Sequence, residues 1–156
     1  MDAIESAVRG TGVDLALESR PELAQLRGCP QTPAFHAEGD VAEHSRWVYD
    51  LTAEHAERMG TSGAVALRLA GLLHDVGKPA TTRPEGPGRW WARGHDLEGA
   101  ELVSTLFASH PVLLELPLGV YVSVHALVRA HMWTYAGERI AAGAALRLTH
   151  VTDPWP

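Results

Sequence analysis

The chain has 156 residues, a formal net charge of −6 and 46% hydrophobic content, enough apolar material for one domain with a real core and too much for general disorder. The acidic balance excludes the broad, backbone-driven nucleic-acid binding that a basic surface gives, while leaving room for a local pocket that takes a single phosphate or one RNA end. Arg68, His74 and Asp75 interrupt the best apolar run, so none reaches the roughly 20 residues that span a bilayer. The start, Met1-Asp2-Ala3-Ile4-Glu5, lacks the basic-then-apolar order of a secretion signal. The expectation is a cytoplasmic chain with no membrane partner. Cys29 is the only cysteine, which rules out an internal disulfide, and no nucleophile motif surrounds it.

Taken in chain order, residues 1–28 predict one or two short helices broken near Pro21, as an N-terminal segment before a core over 29–156. Residues 29–40 form a turn-rich connector. From Val41, the positions Val41, His44, Val48, Leu51, His55 and Met59 recur at helical intervals, with Arg46, Asp50, Glu54 and Glu57 opposite, which turns His44 inward. Ala64 to Leu73 is apolar apart from Arg68 and predicts a buried helix, entered through Thr61-Ser62-Gly63 and stopped by Gly77 and Pro79. Residues 79–94, rich in Pro, Gly and Arg, predict a long loop or short hairpin. Helices follow from near His95, burying Gly99, Leu102, Val103 and Leu106, from Leu118 to about Met132, and from Gly137 to about Thr152. The sum is an all-α, single-domain bundle of five to seven helices, with no internal repeat.

The chemistry concentrates at His74 and Asp75, adjacent residues at the last turn of the buried helix, with His44 thirty positions upstream. Imidazole nitrogens and carboxylate oxygens together suit a divalent transition metal such as Mn, Ni, Co or Fe, and do not choose among them. A helix C-terminus carries about half a negative charge, which offsets part of the cost of holding a cation. Successive helical residues point about 100° apart, so the pair converges on one ion only where both overhang a shared cavity at a helix end. Each residue alone also fits an ordinary structural role, as a hydrogen-bonded core histidine or a helix-terminating aspartate. Their combination points to a metal.

Four ordered segments resemble the HD-domain metal-dependent phosphohydrolases, nearest the HD modules of CCA-adding tRNA nucleotidyltransferases and of RNA-repair proteins that pair an HD module with a polynucleotide kinase. They are Pro30 to His44 (Pro-Gln-Thr-Pro-Ala-Phe-His-Ala-Glu-Gly-Asp-Val-Ala-Glu-His), Leu72-Leu73-His74-Asp75-Val76-Gly77-Lys78-Pro79-Ala80-Thr81, Gly94-His95 with Gly99-Ala100, and Leu127-Val128-Arg129-Ala130-His131-Met132. The resemblance implies metal-dependent hydrolysis of terminal phosphates of nucleotides or RNA ends, as 2′,3′-cyclic, 2′- or 3′-phosphates, with a small nucleotide or an RNA 3′ end as partner. It also implies a fourth ligand, Asp153, in Leu148-Thr149-His150-Val151-Thr152-Asp153; the stripe Ile140, Ala144, Leu148, Val151 points away from that residue, and Pro154 follows it. No nucleotidyltransferase or P-loop kinase segment lies within the 156 residues, so only the HD activity carries over.

Around this centre, Lys78 stands one turn beyond Asp75, either to place an ammonium on phosphoryl oxygens or as a solvated helix-end lysine. His95 and His131 are open to two roles: phosphate contact with leaving-group protonation, or ligation of a second ion. The stripe Val124, Leu127, Val128, His131 turns His131 inward and leaves His125 off centre; His36, His55, His110 and His150 have weaker cases. Arg83, Arg89 and Arg93 with Trp90 and Trp91 could bind a base and phosphate by stacking and charge, or simply pin a loop. Arg93, close to His95, is the candidate substrate contact. Two other chemistries stay open, a di-iron oxygenase using His44, His74, Asp75, His95, His131 and Asp153, and a non-catalytic metal-stabilised module of a larger protein.

Overall fold

The computed structural model describes residues 2–134, and the fold follows the predicted order with one short hairpin. Asp2 opens α1 (Ala3–Arg9) through a capping box with Glu5, and Gly10 in the left-handed region closes it. Pro21 occupies the first position of α2 (Pro21–Ala24). After the connector, Asp40 caps α3 (Val41–Ala56) by accepting from Glu43 N, and its other oxygen accepts from Gly28 N. Then come α4 (Thr61–Leu73), α5 (Lys78–Thr81), the antiparallel hairpin β1 (Arg83–Gly86) and β2 (Arg89–Trp91), α6 (His95–Ser109), α7 (Pro111–Leu114) and α8 (Leu118–Ala130). A 3-10 turn, His131–Thr134, extends α8. No helix among the described residues is long and apolar enough to cross a membrane.

The centre of the bundle is α4, which packs against α1, α3 and α8, while α6 packs on α8 and on the short α5. Its Leu69, Leu72 and Leu73 are completely buried together with Ile4, Val41, Val103, Leu106, Val124 and Val128, and that removal of apolar surface from water stabilises the bundle. Arg68, the one charged residue of α4, reaches back to α1, where its guanidinium donates to the Ala7 and Val8 carbonyls at 2.7 and 2.9 Å. Both carbonyls lie in the last turn of α1, where regular intrahelical partners run out.

The phase of α3 differs from the expected stripe. Its buried face is Val41, Ala42, Ser45, Tyr49 and Ala56, whereas Leu51, His55 and Met59 are exposed. Three of these five residues are small, with Tyr49 the one large member, and α3 and α4 approach closely at Thr52, whose side chain a Cβ on Gly71 would overlap. His44 stays half-buried at the edge of the face, directed to the end of α4. The hairpin satisfies the expectation for 79–94. The helix expected over 137–152 lies outside the described residues.

Candidate metal centre

Helix α4 ends at His74, and Asp75 sits in the turn that leads into α5, with Val76 N donating to Leu73 O and Lys78 N donating to Asp75 O. The turn brings the pair against the start of α6. A Cβ on Gly77 would overlap the His95 carbonyl oxygen and lie 2.6 Å from Gly99 N, so the two glycines let the signature loop press on α6 and carry His95 to Asp75. At the far side, α8 ends at Ala130 and delivers His131 as its C-cap.

Asp75 is 2% exposed and its two oxygens face different partners. Oδ2 lies 3.2 Å from His74 Nε2, 3.8 Å from His44 Nε2 and 2.7 Å from the Lys78 ammonium. Oδ1 lies 3.2 Å from His95 Nε2 and 3.6 Å from His131 Nε2. The carboxylate thus joins two triads of ligand-type atoms, His44–His74–Asp75 and Asp75–His95–His131, each within 4.8 Å. Two ligands of one first-row ion, each about 2.0–2.2 Å from it, stand about 3–3.5 Å apart, a range that the His74 and His95 separations meet and those of His131 and His44 slightly exceed.

The oxygen that each ring's outer nitrogen touches determines which nitrogen faces inward. Nδ1 of His74 donates to Gly71 O at 2.9 Å, that of His95 to Ala92 O, that of His131 to Val128 O at 2.7 Å, and that of His44 to Glu38 Oε1 at 2.6 Å. Carbonyl and carboxylate oxygens only accept, so each ring keeps its hydrogen on Nδ1 and turns Nε2 toward Asp75. Neutral rings of that tautomer present four lone pairs to one small volume. His95 Nε2 and His131 Nε2 are only 3.0 Å apart, a spacing that needs a proton or a cation between them. Asp75 Oδ2, buried, has the Lys78 ammonium 2.7 Å away and the His74 ring beside it. The close spacing of His95 and His131 on one carboxylate fits a divalent transition metal at this donor set.

Electrostatics agree with the geometry. Without an ion, protons take its place: burial alone would raise the Asp75 carboxyl, but a positive charge on His74 and hydrogen bonds from His131, His74 and His95, made when Nε2 also carries a proton, outweigh it and hold the group well below the ordinary carboxylate range. Burial, assisted by the neighbouring His74, pushes the His44 imidazole down, against the pull of Asp75 and Glu38. A ligand histidine must be neutral to bind a metal.

Of the residues expected from sequence, His44, His74, Asp75, Lys78, His95 and His131 all meet in this basin. Lys78 is not a solvated helix-end lysine: only 13% of its side chain is exposed, and its ammonium bonds Gln31 Oε1 at 2.7 Å as well as Asp75. Arg93 lies on the rim instead, 79% exposed, 3.4 Å from Glu85 and stacked 5.3 Å from the Trp91 ring. Trp90 pins the hairpin, since its backbone exchanges two hydrogen bonds with Thr32 Oγ1, while Trp91 is exposed. His110 is structural, accepting from Val112 N and paired with Asp2 at 2.9 Å; His55 is exposed and bonded to Leu51 O. Asp153 and His150 lie outside the described residues.

Gln31 and Glu38 escaped the sequence reading. Both sit in the aperiodic connector, where no helical spacing marks them. The available signal was chemical, because a ligand histidine normally has a carboxylate or carbonyl on its outer nitrogen.

Comparison with known proteins agrees with this geometry. The HD domain family model matches residues 41–146, a span that holds His44, His74, Asp75, His95 and His131. The Multifunctional CCA protein of Halorhodospira halophila is 39% identical over 136 residues, covering 85% of this chain. The proteins of that name from Alkalilimnicola ehrlichii and Paracidovorax citrulli are each 31% identical, over 135 and 147 residues. The chain spans only 29–31% of the length of these relatives, and no solved structure matches it significantly. With the family model covering most of its length and the signature residues gathered around one carboxylate, the chain belongs to the HD domain family.

Proposed function

We propose that the chain is a metal-dependent phosphohydrolase that removes terminal phosphates from nucleotides or RNA ends, as 2′,3′-cyclic, 2′- or 3′-phosphates. The observation that carries this reading is four histidine Nε2 atoms around the shared carboxylate of Asp75, with the Lys78 ammonium 2.7 Å from the same carboxylate. His44, His74 and Asp75 would hold one ion, Asp75, His95 and His131 a second, and Asp153 is the further ligand the family resemblance implies. A divalent transition metal bound there would lower the pKa of a coordinated water toward about 7 and so supply the nucleophile.

The chain's own residues account for the rest. Lys78 places a fixed positive charge beside the ligands, where phosphoryl oxygens gain charge during in-line displacement. His95 and His131, when not committed to an ion, can donate a proton to the leaving oxygen. Trp91, on the exposed hairpin, and Arg93, just after it, offer a stacking face and charge to the nucleotide beyond the phosphate. The resemblance to the HD modules of CCA-adding tRNA nucleotidyltransferases supports an RNA 3′ end, and the net charge of −6 favours a small nucleotide over a long RNA.

Phosphate release from 2′-, 3′-, 5′- and cyclic nucleotides, screened with Mn²⁺, Ni²⁺, Co²⁺ and Fe²⁺, tests the proposal. Metal-dependent release that vanishes in a folded His74→Ala variant is the expected result. A folded, metal-loaded protein that releases phosphate from none of them contradicts it. Oxygen consumption with a mixed-valent iron signal would instead assign the di-iron oxygenase reading.

A further inference from the structure

One more group of ligand-type side chains is gathered beside the basin: His36, Glu38 and His44, with ligand atoms within 4.8 Å. Glu38 Oε1 accepts from His44 Nδ1 at 2.6 Å and from His36 Nδ1 at 3.0 Å, and the two rings stand edge to face with centroids 4.8 Å apart. This is a hydrogen-bonded relay and not a third ion site. A distance of 2.6 Å is that of a short charge-assisted hydrogen bond, below the about 3–3.5 Å between two ligands of one ion. An ion there would also force His44 to ligate through both nitrogens.

The relay is rigidly mounted. Only 10% of the Glu38 side chain is exposed, and two residues later Asp40 ties the connector to α3 through Glu43 N and to Gly28 N. His44 itself has no other anchor for its ring among the hydrogen bonds of the described residues, whereas His74, His95 and His131 are each fixed by a carbonyl three residues earlier. Those three carbonyls belong to helix ends or turns. His44 stands in the first turn of α3, and there a carboxylate from the connector does the same work.

We propose that Glu38 is a positioning residue of the metal centre: it fixes His44 as the Nδ1–H tautomer and aims Nε2 at Asp75, while His36 donates to the same carboxylate oxygen. The inference rests on the metal-centre reading, but its action on His44 is measurable without metal.

The test uses the full chain labelled with ¹⁵N-histidine. Long-range ¹H–¹⁵N correlation of the metal-free protein reports the His44 tautomer, and optical titration with Co²⁺ reports affinity. Wild type should show His44 with its hydrogen on Nδ1. Glu38→Ala should move His44 toward the other tautomer and weaken Co²⁺ binding by about 10–100-fold. Glu38→Gln, whose Oε1 still accepts, should keep the tautomer and stay close to wild type, whereas Glu38→Asp, with its carboxylate withdrawn by one methylene, should behave like Glu38→Ala. If Glu38→Ala does not fold, the contrast between Gln and Asp decides. An unchanged tautomer and affinity in Glu38→Ala, or equal losses in Glu38→Gln and Glu38→Ala, would overturn the proposal. A wild type that binds no Co²⁺ would sink the metal-centre reading, and the tautomer comparison would still decide what Glu38 does to His44.

Discussion

The basin around Asp75 and the hairpin Arg83–Trp91 are adjacent in sequence and built on opposite principles. In the basin each ring is fixed at Nδ1 by an oxygen, the shared carboxylate is 2% exposed, and two glycines allow backbone to press on backbone. On the hairpin, Arg83, Glu85, Arg89 and Trp91 are exposed, and the ion pairs of Glu85 with Arg89 and Arg93 span 3.9 and 3.4 Å. Exposed pairs of that kind contribute about 0–1 kcal/mol. The contrast separates a preorganised centre, where loss of one group is felt in full, from an adaptable rim, where losses are graded.

Asp75→Ala should break the comparison most severely, because it removes the one ligand common to both triads and leaves four facing histidines uncompensated. Metal binding and phosphate release should both fall to background, as measured by elemental analysis and phosphate assay. Lys78→Met should keep the bound metal and lower kcat by about 100–1000-fold, the range for removing one preorganised electrostatic group. His131→Ala should leave the His44–His74–Asp75 triad able to bind and reduce the metal stoichiometry by one ion, a result that sharpens which side of Asp75 is essential. Arg93→Ala should raise KM with kcat nearly unchanged and shift stability by less than about 1 kcal/mol. A loss of kcat as large as that of Lys78→Met would erase the distinction between basin and rim.

Acid adds a smaller test. The Asp75 carboxyl is depressed in the folded state, so its contribution to stability is present above the ordinary value of about 3.9 and is lost as pH falls through the folded value. Denaturant unfolding of the metal-free protein below pH 4 should therefore show a shallower acid loss in Asp75→Asn than in wild type.

Much of the basin was legible because its residues coincide with strong local signals. The apolar run of α4 stops at His74, and α8 carries an inward stripe that ends on His131, as Val124 and Val128, both fully buried, confirm. The phase of α3 was misread because Ala42, Ser45 and Ala56, three of its five buried residues, carry little hydrophobic signal. Leu51 and Met59, conspicuous in the sequence, face solvent. Gln31 and Glu38 were invisible for a different reason: their roles depend on tertiary partners, Lys78 across 47 residues and His44 at the entry to α3, and a connector without periodicity gives no face to read. The hairpin was expected as a loop or hairpin, but the split between Trp90, tied to Thr32, and exposed Trp91 follows from strand register.

The central claim is that one buried carboxylate organises a transition-metal site, and metal titration of wild type against Asp75→Ala at neutral pH, with circular dichroism on both, tests it most directly. Saturable Mn²⁺ or Co²⁺ binding by wild type and none by a folded Asp75→Ala is the predicted result; a folded wild type that binds neither ion, or an Asp75→Ala variant that binds as tightly as wild type, would contradict it.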